Sequence, residues 1–160
     1  MADTAWLDSN TFETIVAHTP LVSIDLLIRN ASGQVLLGQR LNRPACGYWF
    51  VPGGRILKNE TLAQAFLRLT QAELGLTLPI DVARFIGLYE HFYQDSVFST
   101  GIDTHYVVNA FELQLPSSLD TLPQDQHSAY KWLTPTELLA DDMVHIHTKW
   151  YFDTDKGYKT

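Results

Sequence analysis

Glu73 stands where an acid is expensive. Projected at about 100° per residue, Leu62, Ala65, Phe66 and Leu69 fall on one face of a helix, and Glu73 falls in the middle of it. A lone carboxylate on an apolar stripe costs roughly 2–7 kcal/mol or more unless something meets it. A Lys or Arg partner would satisfy it structurally; a divalent metal would satisfy it and also bring chemistry. The limits of this helix are written in the chain. Thr61 and Gln64 have capping-box spacing at its start, Gly75 is the left-handed terminator at its end, and a double glycine, Gly53-Gly54, precedes it.

Other reactive side chains are dispersed. Asp25 interrupts an apolar strand, so it is either a hydrogen-bonded structural group or one that faces a ligand. The turn-rich segment from Arg40 to Gly47 carries two guanidinium groups, and Arg55 follows the double glycine. His145 and His147 are two apart with no third ligand beside them in the chain, which argues against zinc. Cys46, the single cysteine, excludes an internal disulfide, fits a reducing cytoplasm and reads as a small loop residue rather than a nucleophile.

The elements that must position these groups follow from periodicity and punctuation. Residues 9–18 form a short amphipathic helix, with Phe12, Ile15 and Val16 spaced for one face and Thr19-Pro20 as its stop. Residues 21–29 and 34–39 are strands joined by the turn Asn30-Ala31-Ser32-Gly33. Tyr48 to Val51 is a short strand that delivers the chain to the glycines. After the central helix, strands run from Val82 to Tyr93, Thr104 to Leu115 and Ala129 to Leu133. Thr134-Pro135-Thr136-Glu137 then starts a second long-range helix signal, and Val144 to Phe152 is a last helix or an irregular packed tail. Strands interleaved with helices predict a sheet covered on both sides.

Composition narrows the field. The 160 residues suit one domain, 1–160, with a sizeable core. Net charge is −7, and the basic residues are scattered, which argues against a nucleic-acid surface. No apolar run approaches a membrane span and the start lacks the pattern of a signal peptide, so a cytoplasmic location is expected.

A longer pattern carries a resemblance. Gly54, five residues, Glu60, seven residues, Arg68, then Glu73 two before Gly75-Leu76 resembles the Nudix box, the signature of hydrolases acting on a nucleoside diphosphate linked to another group. The usual Arg-Glu-apolar-x-Glu-Glu here reads Arg68-Leu69-Thr70-Gln71-Ala72-Glu73, so two of three acidic positions are missing. That departure resembles the GDP-mannose mannosyl hydrolase branch. The likeness extends through residues 19–23, Asn42 to Gly54, Glu90-His91-Phe92-Tyr93, residues 104–108 and Gln126-His127.

The resemblance implies an α/β fold, the Nudix α/β/α sandwich with a mixed β-sheet. It also implies Mg2+, with Mn2+ as a substitute, held by Glu73, the carbonyl of Gly53 and the amide of Gln126. One or two carboxylates with water and phosphate oxygens suffice for that ion. With Leu69 and Ala72 at acidic positions no carboxylate base stands on the helix, so His127, in the loop after Gln126, becomes the candidate base. Arg40 and Arg68 are expected to stabilise a departing diphosphate, Arg68 with a compatible second role of holding Glu60. Arg55 and His91 are placed near phosphate or sugar, and Asp25 tilts toward the sugar. Tyr106 either bonds a phosphate or is a buried strand aromatic.

The implied reaction is attack of water on the anomeric carbon of GDP-mannose, giving GDP and mannose with inverted configuration. Two rivals stand beside it: a conventional pyrophosphohydrolase cutting P–O–P, and a non-catalytic nucleotide-sugar sensor. A homodimer is also implied, residues 1–20 with Trp6 and Phe12 helping to enclose the partner's guanine pocket. No nucleic-acid or membrane partner is expected.

Overall fold

The run Leu21–Arg29 forms β1, and its near-continuous apolar character suits a strand buried on both faces. In the computed structural model, which describes residues 6–115, 122–123 and 127–159, β1 lies at the centre of a seven-stranded sheet. The other strands are β2 (Val35–Arg40), β3 (Trp49–Phe50), β4 (Gly53–Arg55), β5 (Arg84–Tyr93), β6 (Thr104–Gln114) and β7 (His127–Leu133). Strand order is β3-β2-β1-β6-β5, with β4 added to β1 and β7 to β2. The sheet is mixed: β1 runs parallel to β6 from Leu21↔Tyr106 to Arg29↔Gln114, and the other pairings are antiparallel.

One irregularity shapes the molecule. β1 meets β2 only at Arg29↔Val35, next to the turn, and then pairs with β4 through Ser23↔Arg55, Ile24↔Gly54 and Asp25↔Gly53. The two hairpin arms therefore diverge, and the glycine pair is itself part of a strand. Gly53 must be glycine: a Cβ there would lie 2.4 Å from the carbonyl oxygen of Ile24.

Alternation along β1 divides the core. Ile24, Leu26 and Ile28 face helix α2 (Leu62–Leu74) and its Ala65, Phe66 and Leu69. Leu27 faces the other way, with Tyr89, Val108, Leu138 of α3 (Pro135–Ala140) and Tyr151, near α4 (Ile146–Lys149). α1 (Ser9–His18) buries only Val16, with Phe12 half-buried. The predicted caps are present. Gln64 N–H donates to Thr61 Oγ1 at 3.2 Å, Thr61 N–H donates back to Gln64 Oε1 at 2.8 Å, and Gly75 sits at φ 72°. Leu62, expected on the buried stripe, is 44% exposed, because burial along α2 settles on residues 65, 66, 69, 70, 73 and 74.

The tail supplies a polar-aromatic extension of the second core. His91 of β5 stacks on His147 of α4 (centroids 4.3 Å, planes 10° apart), and His147 packs against His145 and Trp150. The histidine pair therefore does gain a third imidazole, which the linear sequence hid. Their rings stack instead of converging on a point, and among the described residues no group of three His, Cys, Asp or Glu could hold a metal. Burial, aided by neighbouring imidazoles, pushes His91 down to about 2 and His147 to about 3; burial and then Arg40 push His145 to about 4.

Two outcomes follow for stability. Removing the cap hydroxyl with Thr61→Ala should lower unfolding free energy by about 1 kcal/mol in urea titrations. The three histidines bind protons far more readily unfolded than folded, so their contribution is complete above the ordinary 6.5 and lost as pH falls toward 4 to 2. Asp25, raised from 3.8 to about 7 chiefly by burial, acts oppositely, its contribution fading as pH climbs through that window. Three large shifts outweigh one, so the melting temperature should fall steeply from pH 6.5 to 4. A flat profile would contradict the buried cluster.

Candidate active site

The divergence of β1 from β2 opens a cavity of about 360 Å³ at one end of the sheet. Its walls come from strand termini. Ser23 and Asp25 come from β1, Arg40 from β2, Gly53 to Arg55 from β4, Tyr93 from β5, Thr104 and Tyr106 from β6, and His127 from β7. α1 closes one side with Phe12 and Val16, and Trp6 lies beyond them. Both aromatics expected at a partner's pocket thus line the cavity of their own chain.

Behind the wall formed by His127, the question posed by Glu73 has an answer. The carboxylate is 2% exposed, and it is met by neither Lys nor Arg but by His127, Nε2 to Oε2 at 3.2 Å. His127 is not in a loop, as expected, but is the first residue of β7, and it is buried. β7 pairs with β2, whose Gly38 makes room for the ring: a Cβ there would lie 2.6 Å from His127 Cγ and Nδ1. When an ionised Glu73 takes the Nε2 proton as hydrogen-bond acceptor, the imidazole is held as one tautomer. The remaining nitrogen, Nδ1, is buried and has no hydrogen-bond partner among the described residues. It is left as a fixed proton acceptor.

The walls are cationic although the chain is acidic. Arg40, Arg43, Arg55 and Arg68 all line the cavity. Arg40 donates Nε to the Pro44 carbonyl at 2.8 Å. Arg55 lies under the Phe12 ring at 4.6 Å, and burial lowers its pKa. Among the described residues neither forms an ion pair. Arg68 is committed: it grips Glu60 through Nε to Oε1 at 2.6 Å and a second nitrogen to Oε2 at 2.9 Å. It also donates to the Arg55 carbonyl at 2.8 Å, which ties α2 to β4. The Arg68 guanidinium, with a hydrogen bond from the Leu57 N–H, holds the Glu60 carboxyl below its usual range.

The positions where acids were missing are informative. Leu69 is buried, and its Cδ2 would lie 2.5 Å from a Cβ on Gly54, so apolar packing fills the space. Tyr106 lines the cavity and burial raises its pKa, and His91 also reaches the cavity although 2% exposed. Gln126 lies outside the described residues. Arg43, Gly38, Tyr93 and Tyr151 were missed. Only Arg43, in a segment already noted for its guanidinium groups, had a signal in the sequence.

The donors present suit one kind of cation. A buried carboxylate with no Lys or Arg partner among the described residues fits a hard ion that draws most ligands from water and phosphate. It does not fit an ion needing a cage of protein side chains.

Comparison with known proteins agrees with this architecture. The chain is similar to the Low-salt glycan biosynthesis protein Agl8 of Haloferax volcanii, 47% identical over 152 residues, covering 94% of this chain and 91% of that protein. It is also similar to the CTP pyrophosphohydrolase of Escherichia coli, 27% identical over 120 residues, covering 74% and 80%. In fold it resembles a MutT NUDIX hydrolase from Burkholderia pseudomallei (TM-score 0.68, 23% identity, covering 87% and 100%). The NUDIX domain of Shewanella oneidensis NrtR, solved with ADP ribose, is similar too (TM-score 0.63, 20% identity, covering 94% of each). The NUDIX domain family matches residues 19–154, the span that contains the diverging strands, the glycine pair and the buried Glu73, and the chain belongs to that family.

Proposed function

We propose that the protein hydrolyses GDP-mannose to GDP and mannose, with water attacking the anomeric carbon. The observation that carries this reading is the buried contact of Glu73 with His127, which lines a cavity with several arginines where the described residues form no carboxylate cluster. Activating water against phosphorus calls for several acids around the cations. Here, among the described residues, His127 lines the cavity together with the arginines and keeps one ring nitrogen without a hydrogen-bond partner. The 47% identical relative is named for glycan biosynthesis, which is consistent with a sugar nucleotide as substrate.

Roles follow from placement. Glu73, the Gly53 carbonyl and Gln126 would hold Mg2+ or Mn2+, which when bound neutralises the diphosphate and makes it a stable leaving group. Arg40 and Arg55, with Arg43, present donors to the diphosphate and accept its growing charge. Arg68 acts mainly through Glu60 and β4. His127 is the base that takes the proton of water, and Glu73 holds its ring through Nε2. Asp25, His91 and Tyr106 surround the sugar end. A leaving group already stabilised needs no general acid, and a base facing the opposite side of the ring gives inversion. Residues 1–20 would stand at a homodimer interface.

The similarity to a CTP pyrophosphohydrolase supports the second reading, cleavage of P–O–P. Hydrolysis in 18O water decides between them: label is expected in mannose, and label in phosphate would establish the second. Replacing His127 by Gln should cut turnover by about 10²–10⁴-fold while GDP still binds. Unchanged turnover would remove His127 from the chemistry.

A further inference from the structure

Asp25 is held from behind. Its Oδ2 accepts the hydroxyl hydrogen of Tyr151, 126 residues later in the chain, on the 3-10 turn Trp150–Phe152. Its Oδ1 faces different surroundings. Oδ1 lies against Gly53, where a Cβ would come within 2.5 Å of it, so only a glycine leaves room beside this oxygen, and Asp25 lines the cavity.

The Tyr151 hydroxyl is itself approached by His91 Nε2 at 3.5 Å. A tyrosine hydroxyl has a single hydrogen, and here it is given to the carboxylate, so the imidazole must donate. The order is His91 Nε2–H to Tyr151 hydroxyl to Asp25 Oδ2. Ring packing immobilises the chain of donors: Tyr151 is 8% exposed and edge-on to Tyr89 at 4.7 Å, while His91 is stacked on His147.

We propose that Tyr151 is a positioning residue for sugar recognition, holding Asp25 with one oxygen occupied and the other turned to accept a hydroxyl of the hexose. This rests on the reading of the cavity as a GDP-sugar site. The charge pattern supports it. Asp25 offers a diphosphate no cationic donor whereas the guanidinium groups do, so the neutral end of the substrate belongs beside Asp25 and the anionic end beside Arg40, Arg43 and Arg55. The tyrosine contributes orientation: a carboxylate free to rotate would present both oxygens at varying angles and discriminate poorly among hydroxyl configurations.

The test is a double-mutant cycle with Tyr151→Phe and Asp25→Asn, reading kcat and KM for GDP-mannose and GDP-glucose and the affinity for GDP alone. Tyr151→Phe keeps the ring, and should lower kcat/KM for GDP-mannose by about 10- to 100-fold and blunt the preference between the two sugars. Affinity for GDP, which lacks the hexose, should stay within about twofold. In the Asp25→Asn background the same change should add less than about threefold, because its effect passes through Asp25. Additive losses, or equal losses for GDP and the sugar nucleotides, would mean that Tyr151 serves only packing and would overturn the assignment. A wild-type protein that releases GDP from neither sugar nucleotide would instead overturn the reading of the site, and Tyr151's role with it.

Discussion

A carboxylate withdrawn from water must be met by something, and the arrangement of this protein's interior turns on what meets Glu73. No Lys or Arg reaches it; a buried imidazole does. To bring that imidazole there, β7 must add to β2, β2 must carry a glycine where the ring lies, and α2 must pack with Glu73 facing the strand ends. Each condition is a local packing fact, and together they leave the second nitrogen of His127 with no partner among the described residues.

The second constraint is electrostatic. A chain of net charge −7 would repel a diphosphate at most of its surface, so attraction must be local. The cavity supplies it by concentrating guanidinium groups and committing only one to a carboxylate. The Arg68–Glu60 pair, partly buried and bidentate, joins α2 to β4 and so fixes the glycine strand relative to Glu73. Arg55, resting on Phe12, ties α1 to the same wall.

On the opposite side of the sheet the polar groups are handled differently. Asp25, Tyr151, His91 and the two further histidines form a contiguous polar-aromatic layer within the second core. Burial keeps these histidines neutral and favours protonation of the carboxyl, so the layer carries little charge despite its composition. Such a layer specifies geometry, because every rotation of a ring would break a stack or a donor.

The sequence by itself determined most elements, because their signals are local. The capping box at Thr61, the αL glycine at Gly75, the apolar run of β1 and the Thr134-Pro135 start of α3 each sit within a few residues of what they control. The box spacing with its lost acids at Leu69 and Ala72 also announced the family and the need for a base off the helix. What only the tertiary structure decided are contacts between distant segments. Gly53-Gly54 carries no strand signal of its own until β1 supplies a pairing edge, and His127 reads as a loop residue until β2 offers Gly38 as its floor. Tyr151 looks like one aromatic of a docked tail until Asp25 is found beside it, and His91 is invisible to the His145–His147 pair until β5 packs on α4. Capping and periodicity are short-range energies that a chain states in order; a buried charge and its partner are joined only when the sheet closes, at separations no local pattern encodes.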